Sequence, residues 1–304
     1  GLLGAEHGDY GDWLAFENNE GSRGLPHDFF NSAFHYHVTS LFARIAGVLG
    51  NDADREQYAA RAAETKRAFN DAYFDPETAT YEPETQSSFA VPLFVGLVPD
   101  GRETEVADGL ATAVRDAGGK LQTGFLGTRP LVHVLADHGH EELAYHVVSQ
   151  PERPGWVYMV RNGATTMWER WDSDDRVGDG MNSFNHSPFT FVSEWFYRVL
   201  LGIDFDPSIG EGVEIAPAIV GNLDWAAGHV DTVNGEIAVR WERDAERVEL
   251  EVTVPWNTEA TIRLPAGDDR EPEVGDRPIT DAARESGSGT PEIVDRGADE
   301  TVLE

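Results

Sequence analysis

The stretch Asp204-Phe-Asp-Pro207 separates two hydrophobic rhythms, and the fold follows from reading each side of it. Upstream, apolar residues recur at helical spacing. Phe30, Phe34, Val38, Leu41, Ile45 and Val48 stand three or four apart, and Gly50-Asn51 closes that helix. A second helix over 52–73 is Ala-rich and carries Tyr58, Ala62 and Phe69 against charges on its other face. Asp75-Pro-Glu-Thr78 then makes a turn. Shorter helices are predicted at 86–97, 101–117, 126–138, 140–149 and 187–201, the last through Phe191, Trp195, Val199 and Leu200. Gly and Pro punctuate them at Pro99-Asp-Gly101, Gly118-Gly119 and Gly139. Downstream, apolar and polar residues alternate in Val213–Ile215, Glu236–Val239, Val248–Val252 and Ala260–Leu264, with turn signals at Val233-Asn-Gly235 and Arg243–Glu246. The expectation is a mainly α chain with a β domain. Helical hairpins in layers over 1–205 precede a small antiparallel β-sandwich over 206–304, whose Gly/Pro/acid-rich end, 267–304, reads as a loose β extension or an acidic tail.

The charge narrows the function. In 304 residues, 55 acidic side chains oppose 23 basic ones, a net charge of −32, and Lys occurs only at Lys66 and Lys120. Such a surface repels nucleic acid and anionic membranes, so neither is expected as a partner. High salt, with carboxylates holding water and ions, is the plainest setting for it. Cysteine is absent, which excludes disulfides, thiolate nucleophiles and Cys-based metal sites. No apolar run reaches the roughly 20 residues of a membrane helix. The start, Gly1-Leu-Leu-Gly-Ala-Glu6, lacks both an initiator Met and a basic leader, and reads as beginning partway through a longer chain.

The chemistry concentrates in Gly163-Ala-Thr-Thr-Met-Trp-Glu-Arg-Trp-Asp172 and Met181-Asn-Ser-Phe-Asn-His186. Glu169 stands between Trp168 and Trp171. Indole faces stack on the C–H faces of a pyranose and exclude water, and a carboxylate beside them can do acid–base work on a sugar. The competing reading pairs Glu169 with Arg170 or Arg161. His186 either donates to a sugar hydroxyl or caps a helix starting at Ser187. Asp12 and Trp13 pair a carboxylate with an indole in a Gly-rich loop, where turn chemistry is the alternative. Trp156, after Pro154-Gly155, is pocket or core, and the acidic loop Asp172, Asp174, Asp175 and Asp179 reads as solvated. His35 and His37 are badly spaced for one helical face, and zincin, P-loop and serine-hydrolase motifs are missing. These absences disfavour zincin, P-loop and serine-hydrolase readings.

Together with Gly11-Asp-Trp-Leu14 and Gln122-Thr-Gly-Phe-Leu-Gly127, these motifs occur in the order of the bacterial and archaeal α-L-rhamnosidases of glycoside hydrolase family 78, which the chain resembles over about 9–265. The resemblance implies an (α/α)6 catalytic barrel, present here in part as a partial toroid, then a C-terminal β-sandwich. It implies inverting hydrolysis of terminal α-L-rhamnosides in rhamnose-containing carbohydrates, which requires no metal or organic cofactor. Glu169 would be the general base, and Asp12, Trp13, Trp156, Trp168, Trp171 and His186 sugar-site residues. The family's general acid lies in an upstream Asp…Arg-x-Glu-Arg-x-Gly-Trp-x-Gly-Asp segment with no counterpart here. The resemblance thus implies an amino-terminally truncated fragment, whose partner is the missing part or a second copy.

Overall fold

The computed structural model describes residues 1–4, 10–16, 25–204, 212–245, 247–256, 258–265, 273–274, 277–278, 293–296 and 300–303. The chain divides into two compact units, Gly1–Val192 and Ser193–Glu304. Among the described residues, no helix is long and apolar enough to cross a membrane.

The first unit is built of helices: α1 (His27–Val48), α2 (Asp52–Tyr73), α3 (Gln86–Val95), α4 (Glu103–Asp116), α5 (Thr128–Asp137), α6 (Glu141–Val148) and α7 (Trp156–Arg161). Asn51 caps α2 by accepting from the Asp54 N–H at 3.3 Å, which stops α1 and starts α2 within three residues. The two helices pack through small side chains, Thr39, Ala43 and Ala46 on α1 and Ala62 and Thr65 on α2. An aromatic cluster closes one end of the pair. The ring of Phe29 lies 4.8 Å from Phe69 and 5.2 Å from Tyr73, and Tyr81 donates to Asn70 Oδ1 at 2.8 Å.

The apolar spacing that predicts α1 does not mark its buried side. Phe30 is buried, but Val38, Leu41, Ile45 and Val48 are exposed, Val48 to 80%. Close approach to α2 selects the alanine side of the helix, and the larger side chains are left outside.

Helix α3 begins at a capping box formed by Thr85 and Ser88 and is buried on nearly all sides, as is α5. These inner helices pack on each other, α4 lays Val106, Leu110 and Val114 against them, and α6 packs on α5. A two-strand hairpin, β1 (Phe74–Asp75) with β2 (Thr80–Tyr81), surrounds the predicted 75–78 turn. Helix α7 falls between the predicted helices 140–149 and 187–201, where no helix is predicted. Conversely, the predicted 187–201 helix is shorter: 187–191 are turns, α8 covers Val192–Trp195, and a π-helical turn follows at Phe196–Leu200. Pro188 biases Ser187 away from helical geometry.

The second unit holds two principal sheets. Strands β5 (Trp225–Thr232), β6 (Gly235–Arg243) and β7 (Val248–Thr253) form an antiparallel meander, with the predicted Asn234-Gly235 turn joining the first two. Strands β3 (Ile203–Asp204), β4 (Val213–Ile215), β8 (Ala260–Pro265), β11 (Ile293–Arg296) and β12 (Glu300–Leu303) make the other sheet in the order β11-β12-β8-β4-β3. A small hairpin pairs β9 (Glu273–Val274) with β10 (Arg277–Pro278). All pairings are antiparallel except β4 with β8, because the meander forms the crossover between those two strands. The inner faces share a core of Leu201, Ile203, Val213, Ile215, Ile237 and Val239. Trp241 is fully buried and donates its indole N–H to Leu200 O at 2.7 Å. Within 267–304, strands β9–β12 realise the expected β extension, and the remaining residues of that segment lie outside the described ones.

Candidate active site

The two motifs around Glu169 are held side by side by a short backbone ladder. The Thr166 hydroxyl donates to Phe184 O, and the His186 N–H donates to Met167 O at 2.9 Å. Glu169 and Ser183 bind reciprocally: the Glu169 N–H donates to Ser183 O at 2.9 Å, and the Ser183 N–H donates to Glu169 Oε2 at 2.7 Å. Glu169 is 7% exposed, and no other described residue bonds its carboxylate. The alternative ion pair with Arg170 is not made: Arg170 Nε turns to Asp172 Oδ1 at 3.2 Å. Among the described residues, one carboxylate oxygen is thus held by an amide and the other accepts no hydrogen bond from the protein.

The tryptophans back this segment. Trp171 is 1% exposed, 5.1 Å from Trp156 in a T-shaped pair and 4.1 Å from Phe189, while the Trp156 indole N–H donates to Phe189 O at 2.9 Å. Trp168 is buried against Phe184 at 5.4 Å. These three rings, expected beside the sugar, are buried in the packing around the Glu169 segment. Trp13, half-buried, meets Tyr10 in a T-shaped pair at 5.8 Å.

Asp12 is buried, and protein donors engage both its oxygens. Oδ2 accepts from the Ser87 hydroxyl at 2.5 Å and the Gly124 N–H at 2.8 Å; Oδ1 accepts from Leu126 N–H at 2.9 Å and Gly127 N–H at 2.8 Å. Burial pushes its carboxyl up, against the downward pull of those four donors. The Phe125 N–H donates to Trp13 O at 2.9 Å, and the Phe125 ring lies 5.9 Å from the imidazole of His186. His186 precedes turns, so the capping alternative has no helix to cap. The structure therefore links the Gly11–Leu14 turn, the 122–127 loop and the Glu169 segment through Phe125. Phe125 lies within the Gln122–Gly127 motif, and a bulky ring directly after Gly124 is the signal for this part.

The acidic loop is more than solvated surface. Asp172 accepts from Arg176 Nε at 2.7 Å as well as from Arg170, and Asp175 pairs with Arg153. Burial alone would push the Asp172 carboxyl up, but the two arginines hold it below the usual carboxylate range. A cavity of about 520 Å³ is lined here by Phe16, Arg153, Asp172, Asp175, Arg176 and Asp179, beside the site and without Glu169, Trp13 or His186 in its wall. Among the described residues, one trio has metal-ligand geometry: His229, Asp231 and Glu236 on the outer face of the meander, with ligand atoms within 4.8 Å of one another. All three are exposed, where water competes for any cation.

Comparison with known proteins agrees with these motifs. The bacterial α-L-rhamnosidase six-hairpin glycosidase domain matches residues 1–200, and the bacterial α-L-rhamnosidase C-terminal domain matches 212–277. An α-L-rhamnosidase of Streptomyces avermitilis is 35% identical over 270 residues, covering 88% of this chain and 25% of that protein. One from an Alteromonas species is 31% identical, covering 84% and 29%. Among solved structures, the Streptomyces avermitilis α-L-rhamnosidase complexed with L-rhamnose superposes with a TM-score of 0.85 at 32% identity, over 99% of this chain and 27% of that one. The α-L-rhamnosidase from Dictyoglumus thermophilum gives 0.81 at 28% identity, over 97% and 32%. The chain thus spans about a quarter of the length of the curated relatives it matches. It belongs to the bacterial α-L-rhamnosidases of glycoside hydrolase family 78 and corresponds to their carboxyl-terminal part.

Proposed function

We propose that this chain is the base-bearing part of an α-L-rhamnosidase that hydrolyses terminal α-L-rhamnosides with inversion. Glu169 takes a proton from water as that water attacks the anomeric carbon of an oxocarbenium-like transition state. The observation that carries this reading is the half-engaged Glu169 carboxylate, buried and clamped by Ser183 beside His186. Trp13 and His186 contact the sugar; Trp156, Trp168 and Trp171 support the segment. An inverting enzyme needs its acid roughly 6.5–9.5 Å across from the base. The acid comes from a polypeptide segment outside these 304 residues, which packs on the exposed side of α1. Val38, Ile45, Val48 and Leu49 support this by lying open to solvent there, as does the chain's short span of its relatives.

Hydrolysis of an aryl α-L-rhamnoside, with proton NMR of the anomer first released, tests the proposal. The 304 residues alone are expected to turn over poorly. Joined to a segment that carries the acid, they are expected to release β-L-rhamnose first, and Glu169→Gln is expected to abolish this. Robust Glu169-dependent turnover by the 304 residues alone would put the acid inside the chain. Release of the α-anomer first would exclude inversion, and indifference to Glu169→Gln would remove the base.

A further inference from the structure

We infer that Asp12 is a positioning residue of the sugar site rather than a ligand of the sugar: its carboxylate clips the Gly11–Leu14 turn onto the 122–127 loop, and so sets Trp13 directly and His186 through Phe125. This rests on the reading of Trp13 and His186 as sugar-facing. An ionised carboxylate has about four lone-pair sites. Here Ser87, Gly124, Leu126 and Gly127 occupy them all, and Asp12 is 3% exposed. No acceptor capacity is left for a hydroxyl.

The surroundings are shaped around the clip. A Cβ on Gly124 would meet the backbone of Asp12, Trp13 and Ala15, and one on Gly127 would meet Ser87 Oγ and stand 2.6 Å from Asp12 Oδ2. Leu14 adopts φ +59°, a left-handed conformation costly for a branched side chain, and the clipped turn holds it there. A buried carboxyl and a strained backbone are tolerated at the same turn, and what they hold in place is Trp13. From Trp13 O the path continues through the Phe125 N–H to the Phe125 ring, which meets both His186 and Phe189, and His186 is bonded to Met167, two residues before Glu169. An asparagine cannot replace the carboxylate, because its NH₂ would face at least one backbone N–H that needs an acceptor.

The test uses the 304-residue chain and four readouts: the His186 imidazole resonances and the Trp13 indole resonance by NMR, L-rhamnose binding by calorimetry, and thermal unfolding. Asp12→Asn is expected to shift the His186 signals and weaken L-rhamnose binding roughly tenfold, about the worth of one hydrogen bond. Val114→Ala, a cavity in distant α4, is the stability control and is expected to move neither. Phe125→Leu breaks the relay but not the clip, so it should move His186 while leaving the Trp13 indole resonance as in the parent. If Asp12→Asn does not fold, Ser87→Ala removes one donor and is expected to act in the same direction more weakly. The inference is overturned if folded Asp12→Asn or Ser87→Ala leaves His186 and Trp13 unchanged, or if Val114→Ala reproduces their effects. A parent chain that does not bind L-rhamnose would defeat the sugar reading, while the His186 shifts would still decide whether the clip exists.

Discussion

Two regions of the helical unit treat their surfaces in opposite ways. Around Asp12, polar groups are shut away from water and every carboxylate lone pair has a donor from the same chain. Along the second half of α1, large apolar side chains stand in solvent: Ile45 is 54% exposed and Phe42 46%. The first region is complete in itself. The second has the composition of an interior without a covering. Burying a charge without partners is far costlier than exposing a scatter of methyl groups, so a polar clip must be finished within the chain, whereas an apolar face can wait for another surface.

The largest expected effect lies at Glu169, which the complete region reaches through Phe125 and His186. In the enzyme supplied with its acid, Glu169→Gln should lower kcat by about 10²- to 10⁴-fold, the usual worth of a positioned base, while L-rhamnose binding persists. A loss of binding instead would make Glu169 a ligand. Next, Asp12→Ala orphans three backbone N–H groups and the Ser87 hydroxyl. At about 1–3 kcal/mol for an unsatisfied buried group, partly relieved by entering water, denaturant unfolding should show a loss of about 3–5 kcal/mol. A loss below about 1 kcal/mol would mean that the clip is open to solvent and the contrast with α1 is false.

The same contrast explains what was legible in the sequence. Helix positions and most strands follow from local spacing, and the site motifs announce themselves by residue type. Orientation does not. Val38, Leu41, Ile45 and Val48 have the right period for a buried stripe, but which side of α1 goes inward depends on the alanines of α1 and α2 meeting across space. Trp171 reads as a pocket wall because indole suits a sugar, and nothing local says that its ring will meet Phe189 or that the Trp156 indole N–H will bond the Phe189 carbonyl. Asp12 reads as turn chemistry or ligand, because its donors lie 75 to 115 residues away. Strand β5 was missed since Ala226 and Gly228 carry too little side chain to mark an inner face; Gly228 is small because Leu201 fills the space where its Cβ would stand.

A smaller effect concerns acid. Asp172 has a folded-state carboxyl held below the ordinary value of 3.8, so its contribution is present above that value and is lost as pH falls through the folded-state titration. Asp172→Asn should therefore cost about 1 kcal/mol near neutrality, as expected for a partly exposed charge pair, and the cost should shrink toward pH 3. A difference that grows on acidification would mean that Arg170 and Arg176 do not face it in solution.

The smallest effect is the sharpest check on the α1 face. Ile45 and Val48 touch water, so Ile45→Ser with Val48→Ser should change unfolding free energy by no more than about 0.5 kcal/mol each, the range of ordinary surface substitutions. The same pair should reduce concentration-dependent association in sedimentation. That association should itself strengthen with added salt, because the net charge of −32 keeps copies apart at low ionic strength. On the proposed reading the two readouts must separate: a face that a further segment covers governs assembly without governing the fold of the isolated chain. A double variant that loses about 2 kcal/mol or more would show that these side chains are already covered within the 304 residues, and the acid-bearing segment would then have to dock elsewhere.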